Sequence, residues 1–211
     1  MRDWVCGWAA ARGLAPPVAE GAGWRVEVGW PQQVRRHVFA RPCEELQALG
    51  DAVVEPWVFL KCCVTAEALR ALLPPRWTVH ARASMMVFEG PPPQAPPLPP
   101  GYRLELPAAA AAPHARILAP DGSEVADGRL AMVGAQAIFD RIATRADQRR
   151  RGLARAVMCA LHALAHARGA TRGLLSATVE GEALYRTLGW RVHSPYASAV
   201  IAGPEDAAPT R

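Results

Sequence analysis

The fold is decided by residues 138–154, which read IFDRIATRADQRRRGLA. They begin inside a strand predicted over residues 136–143 and run into an amphipathic helix predicted over residues 151–168. Gly169 follows where a left-handed residue commonly ends a helix. The first turn of a helix leaves backbone N–H groups unpaired, and their partial positive charge attracts anions. The order of strand, turn and long helix therefore predicts a phosphate site at the turn.

The turn itself combines three arginines with a glycine. Gly152 would let a phosphate approach the backbone closely, while Arg149, Arg150 and Arg151 add full positive charges. An arginine-rich helix start without any ligand has the same local sequence. The turn alone therefore leaves both interpretations open.

The composition predicts a globular chain that does not bind nucleic acid. Of its 211 residues, 51% are hydrophobic and 20% are charged, so the chain is long enough to bury a core in one large domain or two small ones. The net charge is +5, but Lys61 is the only lysine and the arginines are scattered along the chain. No basic stripe with interleaved aromatic residues is present, so a nucleic-acid surface is not expected.

Cysteine usage and hydropathy indicate a reduced, cytoplasmic protein. The five cysteines are an odd number, and Cys62 and Cys63 stand side by side in an apolar run. The start of the chain lacks the apolar core of a signal peptide, and no segment reaches the roughly 18 apolar residues of a membrane span. We therefore expect no membrane association. We expect the chain to be a monomer or a homodimer.

No metal site is predicted. His162 and His166 lie four residues apart on the predicted long helix, but the sequence has neither HExxH nor CxxC spacing. They share a helix face with Arg155 and Cys159, opposite the leucines. We expect this face to be solvated, with a metal-binding pair as the alternative.

A proline-rich segment at residues 91–101 divides the chain. We expect a small α+β module over residues 1–90, a second module over residues 102–203, and a frayed tail at residues 204–211. The first module has strands predicted at residues 24–29, 34–40, 57–64 and 77–88, and helices at 43–52 and 66–73. The second has strands at residues 102–106, 115–119, 124–132, 136–143, 173–178 and 191–201, and helices at 151–168 and 181–188. The first module contains no recognisable catalytic motif, and its tryptophans are expected mainly in the core.

Three segments of the second module resemble the GNAT acetyltransferase superfamily. Residues Arg149-Arg150-Arg151-Gly152-Leu153-Ala154 match its acetyl-CoA signature, [RQ]-x-x-G-x-[GA]. The strand at residues 138–144 is similar too, and so is the segment Ala183-Leu184-Tyr185-Arg186-Thr187-Leu188-Gly189-Trp190. The resemblance covers about residues 102–201. It implies an α+β fold with a mixed, mostly antiparallel central sheet flanked by helices, and we interpret the first module as a reduced relative of that fold.

The same resemblance implies acetyl-CoA as the acyl donor. Backbone groups of Ile142, Ala143 and Thr144 would pair with its pantetheine arm. The amides of Arg149, Arg150, Arg151, Gly152, Leu153 and Ala154 would hold its pyrophosphate. Thr178 stands where the family often has an asparagine, so its contact with the pantetheine or with a water differs from the usual one.

Two residues are candidates for the chemistry. In the family, a tyrosine at the position of Tyr185 protonates the leaving thiolate, and a phenol with a pKa of about 10 can donate a proton at neutral pH. The alternative is a core tyrosine. Asp140 is the candidate base, because it lies between Ile138 and Ile142 on one strand face where burial can alter its pKa. The alternative is a structural ion pair with Arg141 or Arg129.

The acceptor side departs from the family pattern. Residues 107–114 are too few to form the helices that usually wall the acceptor site, so we hypothesise that the first module supplies the wall. The acceptor would then lie near Asp140 and Tyr185, with His193 or Tyr196 as further candidates. The resemblance implies direct acetyl transfer to a primary amine, on a small molecule or a peptide, in a ternary complex. The alternatives are a non-catalytic CoA-binding or regulatory protein and a donor with a longer acyl chain.

Overall fold

The computed structural model describes residues 1–80 and 83–203. Within that part of the chain, five α-helices flank one sheet of twelve strands. The helices are α1 (Arg2–Ala11), α2 (Glu44–Ala52), α3 (Ala66–Leu72), α4 (Leu153–Ala167) and α5 (Val179–Thr187). None of the helices in the described ranges is long and apolar enough to cross a bilayer.

The strands are β1 (Val18–Glu20), β2 (Gly23–Trp30), β3 (Gln33–Phe39), β4 (Val58–Cys62), β5 (Thr78–Val79), β6 (Ala83–Phe88), β7 (Arg103–Glu105), β8 (His114–Leu118), β9 (Glu124–Val133), β10 (Gln136–Thr144), β11 (Arg172–Thr178) and β12 (Arg191–Val200). Their order in the sheet is β1-β2-β3-β4-β12-β6-β11-β10-β9-β8-β7, and β5 pairs with β12. Two of the described strand pairs are parallel, β3 with β4 and β10 with β11. The predicted mixed, mostly antiparallel sheet flanked by helices is therefore confirmed.

Each half of the chain follows the same order of elements. A strand (β3 or β10) leads through a helix (α2 or α4) to a parallel strand (β4 or β11), and a short helix (α3 or α5) follows. The last strand of each half then pairs with the other half. β6 lies between β11 and β12, while β12 lies between β6 and β4. The division into two modules stays a prediction, but the hydrogen bonds of the sheet run across it.

Strand and helix boundaries follow the sequence in most places. Thr65 caps α3, since its Oγ1 accepts a hydrogen bond from the Ala68 N–H at 3.2 Å. The strand predicted over residues 77–88 is wrong as a single element. Its ends form the separate strands β5 and β6, and residues 81–82 between them lie outside the described residues, as does the predicted tail at 204–211.

Helix α1 has no counterpart among the predicted elements, which begin at residue 24. Met1 is its N-cap and makes no side-chain capping bond, so the usual start signal is missing from the sequence. Its apolar face nonetheless buries Trp4, Val5 and Trp8. These side chains pack on the sheet face that carries Ile138, and that face rather than helix propensity stabilises the helix.

The face of α4 expected to be solvated is exposed only at His166 and half-buried at Arg155, and the prediction is wrong for Cys159 and His162. His162 is 4% exposed and Cys159 is 2% exposed. The indole N–H of Trp190 donates to Nε2 of His162 at 3.0 Å, and the rings of Phe88 and Phe139 lie 4.3 and 4.5 Å from the imidazole. Aromatic residues on β6 and β10 therefore cover His162. A helical projection places this residue opposite the leucines, which is why the sequence alone suggested contact with solvent. Burial lowers the pKa of His162 to about 4.

Burial of neutral His162 should make the fold less stable in mild acid. In the unfolded chain its pKa returns to about 6.5, so between that value and its folded pKa the unfolded state binds more protons. The free energy of unfolding should therefore fall as the pH decreases through this window. We expect a loss of about 2 kcal/mol between about pH 7.5 and pH 5, measured by urea unfolding.

The glutamine variant separates this effect from the other histidines. His162→Gln keeps an acceptor for the Trp190 N–H but does not titrate, so it should remove the loss of about 2 kcal/mol attributed to His162. His166→Gln, a change at an exposed residue of the same helix, should keep that loss. Equal slopes in wild type and His162→Gln would contradict the assignment to His162.

Candidate active site

The site begins where two neighbouring parallel strands separate. β10 and β11 share hydrogen bonds over residues 136–138 and 172–174, and this pairing ends at Ile138 and Leu174. Both strands continue, β10 paired with β9 and β11 paired with β6. A bulge between Asp140 and Ala143, with Arg141 at φ 54°, adds one residue to β10. Because a bulge bends the strand that carries it, the edge of β10 turns away from β11.

A cavity of about 650 Å³ lies in this gap. Its walls are the ends of β10 and β11 and the starts of α4 and α5. Such a volume falls within the range of small-molecule sites in proteins. Of the residues predicted to bind the donor, those that line the cavity are Ile142, Ala143, Thr144, Arg149, Arg150, Gly152, Leu153, Ala154 and Thr178.

The N-terminus of α4 faces the cavity with free backbone donors. Gly152 is the N-cap residue at φ 77°, and Arg150 also has a positive φ, 64°. No described side chain caps the helix, and its first turn has no acidic residue. The first-turn N–H groups therefore remain available to an anion. A Cβ on Gly152 would meet only Pro96 Cγ, at 4.0 Å, so backbone conformation rather than space favours glycine there.

The arginines of the turn point to different places. Arg149 and Arg150 line the cavity, together with Arg155 from the first turn of α4. Arg151 does not line it, because its guanidinium donates to the Tyr102 hydroxyl at 3.0 Å. The Tyr102 hydroxyl in turn donates to Gln148 Oε1 at 2.7 Å. Arg151 thus ties the turn to Tyr102, which directly precedes β7. Arg149, Arg150 and Arg155 make the cavity cationic near the start of α4.

Tyr185 on α5 lines the cavity and is 7% exposed. Its ring packs beside Trp190, with 6.2 Å between the ring centroids. Burial, and secondarily the negative charge of Asp140, raises the pKa of Tyr185 to about 12. The phenol is therefore protonated at neutral pH. The sequence left open whether Tyr185 is a core residue or a site residue. In the structure its side chain is buried and also forms part of the cavity wall.

Asp140 is paired with a residue that the sequence did not suggest. Arg12, at the end of α1, donates from Nε to Oδ2 at 2.7 Å and from Nη2 to Oδ1 at 3.0 Å. The expected alternative partners, Arg141 and Arg129, do not form this ion pair. Arg129 instead donates from Nη1 to the carbonyl of Ala11 at 3.1 Å, which fixes the end of α1. Arg129 is thus the cross-strand neighbour of Asp140 on β9, but its guanidinium hydrogen-bonds to α1.

The remaining acceptor-side candidates lie outside the cavity. Tyr196 is 4% exposed and packs edge-on against Trp4, with 5.4 Å between the centroids. His193 is exposed and does not line the cavity. Thr178 does line it, but its hydroxyl already accepts the N–H of Gly181 at 3.1 Å and so caps α5.

The corresponding turn in the first half of the chain is not an equivalent anion site. The turn at residues 40–43, between β3 and α2, contains no glycine, and Pro42 has no N–H. Helix α2 then begins with Glu44 and Glu45 in its first turn. These carboxylates repel an anion at the helix N-terminus.

The same architecture occurs in solved structures. A GCN5-related N-acetyltransferase from Kribbella flavida superimposes with a TM-score of 0.67 at 15% identity, covering 93% of each chain. A putative GNAT-family acetyltransferase from Novosphingobium aromaticivorans gives 0.62 at 16% identity, covering 97% of each chain. A tandem GNAT protein from the clavulanic acid biosynthesis pathway gives 0.57 at 13% identity, covering 96% of this chain and 94% of the other. The chain has the GNAT fold. No model of a known protein family and no curated protein sequence matches it.

The GNAT fold of this chain contains two cavity arginines that the sequence did not identify as site residues. Arg155 follows the acetyl-CoA signature by one residue, and a helical projection from Gly152 could have found it. Arg12 lies 128 residues before Asp140, and no local pattern links the two. Only the packing of α1 on the sheet brings Arg12 to the cavity.

The raised pKa of Tyr185 predicts a late phenolate transition. An exposed phenol ionises near pH 10, whereas Tyr185 should remain largely protonated up to about pH 11. In an absorbance titration, wild type and Tyr185→Phe should therefore give nearly the same phenolate signal up to that pH. A deficit of one phenolate in the variant near pH 10 would contradict the burial of this hydroxyl.

Proposed function

We propose that this protein is an N-acetyltransferase that moves an acetyl group from acetyl-CoA to a primary amine, by direct transfer in a ternary complex. The observation that carries the proposal is the gap between β10 and β11, which leads to the uncapped N-terminus of α4. An extended, polar arm fits between two strand edges, and a pyrophosphate fits at a helix start without a side-chain cap. Both features meet in one cavity of suitable size.

The donor would be held mainly by the backbone. Ile142, Ala143 and Thr144 present the edge of β10 that has lost β11 as a partner, so their backbone groups can pair with the amides of a pantetheine arm. The amides from Arg149 to Ala154 would receive the pyrophosphate. Arg149, Arg150 and Arg155 would supply positive charge from the cavity wall.

The chemistry requires one proton to be delivered and one to be removed. The acceptor nitrogen attacks the thioester carbonyl, the C–N bond forms, the C–S bond breaks, and the sulfur leaves as a thiolate. Tyr185 would donate its phenolic proton to that thiolate, since its pKa of about 12 keeps it protonated until the transfer. Asp140, which lines the same cavity and is 8% exposed, would receive the proton lost by the amine, directly or through water.

The first half of the chain would complete the acceptor side. In this structure α1 packs against β9 and β10, and residues 106–113 form no helix. The acceptor would thus be a small amine, or the amine of a peptide, that reaches the cavity past α1.

Replacing Gly152 with alanine should weaken acetyl-CoA binding. A non-glycine residue at φ 77° costs about 1 kcal/mol or more, and a distorted turn misplaces the amides of α4. We expect wild type to bind one acetyl-CoA per chain by calorimetry, and Gly152→Ala to bind about tenfold more weakly. A wild-type chain that shows no calorimetric or thermal-shift response to millimolar acetyl-CoA would contradict the proposed function.

Gly169→Ala is a matched control for this variant. Gly169 follows α4 at its opposite end, has φ 81°, and has no neighbour within 4 Å of an added Cβ. This variant should therefore lose similar stability and yet keep wild-type affinity for acetyl-CoA. Equal loss of affinity in both variants would show that the effect comes from general destabilisation of α4.

Removing the Tyr185 hydroxyl should slow transfer while leaving donor binding intact. Release of free CoA thiol would be followed with ethanolamine, glycinamide, benzylamine and a lysine-containing peptide as acceptors. Tyr185→Phe should lower kcat by about tenfold to a hundredfold, because the thiolate loses its proton donor. The Kd for acetyl-CoA should stay within about twofold of wild type, since the backbone provides most of its contacts.

Tyr196→Phe is the corresponding control. Tyr196 is buried, its hydroxyl has no partner among the described residues, and it does not line the cavity, so this variant should keep full activity. If Tyr185→Phe is also fully active, Tyr185 is not the proton donor. If wild type binds acetyl-CoA but releases no thiol with any of the four acceptors, the chain is a non-catalytic CoA-binding protein.

A further inference from the structure

One side chain from the first half of the chain reaches the cavity. Among the described residues that line it, Arg12 is the only one that precedes β10. It is the C-cap residue of α1, where the helix turns away through Gly13 at φ 67°. The helix end therefore directs a cation into the cavity beside Asp140, on a different element from the arginines near the start of α4.

The contact between Arg12 and Asp140 is a fork that fixes the plane of the carboxylate. Each carboxylate oxygen receives one N–H, at 2.7 and 3.0 Å. Two-point contacts of this kind restrict orientation as well as position. A carboxylate oxygen has a second acceptor site, so both oxygens can still hydrogen-bond to another group in the cavity. Asp140 is thus oriented by Arg12 without being fully occupied by it.

The surroundings of Arg12 hold the guanidinium in place. It lies 4.5 Å from the centroid of the Trp8 ring and 5.5 Å from that of Trp30. The side chains of Arg12 and Asp140 are only 16% and 10% exposed. A carboxylate with so little contact with water needs a partner, because an unpaired buried charge is strongly unfavourable. Loss of Arg12 would therefore leave Asp140 free to rotate, to take up water, or to bind another cation.

We infer that Arg12 is a positioning residue of the transfer site, which holds the Asp140 carboxylate in the orientation that receives the proton of the acceptor amine. This inference rests on the proposed function. It assigns to α1 a part in catalysis as well as in the core. Arg12 itself does not contact the reacting atoms in this role and acts through Asp140.

A purely structural role for Arg12 predicts a different set of results. If Arg12 only anchors α1, then loosening α1 at another contact should be equally harmful. Arg129 offers that comparison, because it donates to the Ala11 carbonyl at the same helix end and does not hydrogen-bond to Asp140. Arg129→Met therefore removes an anchor of α1 and leaves the fork intact.

The test compares Arg12→Ala, Arg12→Lys and Arg129→Met in the thiol-release assay with the four acceptors named above. Arg12→Ala should lower kcat by about tenfold or more, with the KM for acetyl-CoA within about twofold of wild type. Arg12→Lys keeps the charge but loses the fork, so its kcat should lie between the kcat of wild type and that of Arg12→Ala. Millimolar guanidinium chloride should restore part of the activity of Arg12→Ala and none in Arg12→Lys. Arg129→Met should retain a kcat near that of wild type.

Coupling to Asp140 provides the second readout. Asp140→Asn should lower kcat, and adding Arg12→Ala to it should cause little further loss, because residues that act as a unit are not additive. Full activity of Arg12→Ala, or equal losses in Arg12→Ala and Arg129→Met without guanidinium rescue, would overturn the inference while leaving the proposed function intact. Absence of thiol release by wild type with all four acceptors would overturn both.

Discussion

Strands β10 and β11 share hydrogen bonds only as far as Ile138 and Leu174, and the site depends on their separation beyond that point. A separated strand edge leaves backbone donors and acceptors without partners, which is costly unless water or a ligand meets them. The extra residue at Arg141 bends β10, while continued pairing with β9 on one side and β6 on the other holds the two strands apart. The gap is therefore built into the pairing of the sheet, and under the proposed function the pantetheine arm would take the place of the missing strand.

The exchange of strands makes the two halves depend on each other. β6, from the first half, supports the far side of β11, and β12, from the second half, joins β6 to β4. The first half repeats the order of elements in the second, but its turn before α2 lacks the glycine and adds two glutamates to the helix start. It has the same order of elements without an anion site at the corresponding turn. Its contributions to the cavity are a supporting strand and, through α1, the side chain of Arg12.

The charges in the cavity come from two places in the fold. Arg149, Arg150 and Arg155 lie around the start of α4, where positive charge and helix amides act in the same direction. The Arg12 and Asp140 pair joins the end of α1 to β10 and has little contact with water. Tyr185 lines the same cavity as a neutral phenol, because burial disfavours its phenolate. Arginines, a protonated phenol and a paired carboxylate in one cavity are the groups that the proposed acyl transfer would use.

Local patterns were sufficient for much of this architecture. The turn at Gly152, the long helix after it and the glycine at its end could be predicted because caps, turns and helix periodicity depend on residues a few positions apart. The same holds for Tyr185 and Asp140, which motifs on single elements identified as candidates and which the structure places in one cavity. Tertiary structure alone decided which residues surround them. Helix α1 has no capping signal, His162 is buried by aromatic residues from two distant strands, and Arg12 meets Asp140 across 128 positions of sequence. These contacts form when apolar faces are buried across the whole sheet. A short stretch of sequence does not show which distant element will pack against it.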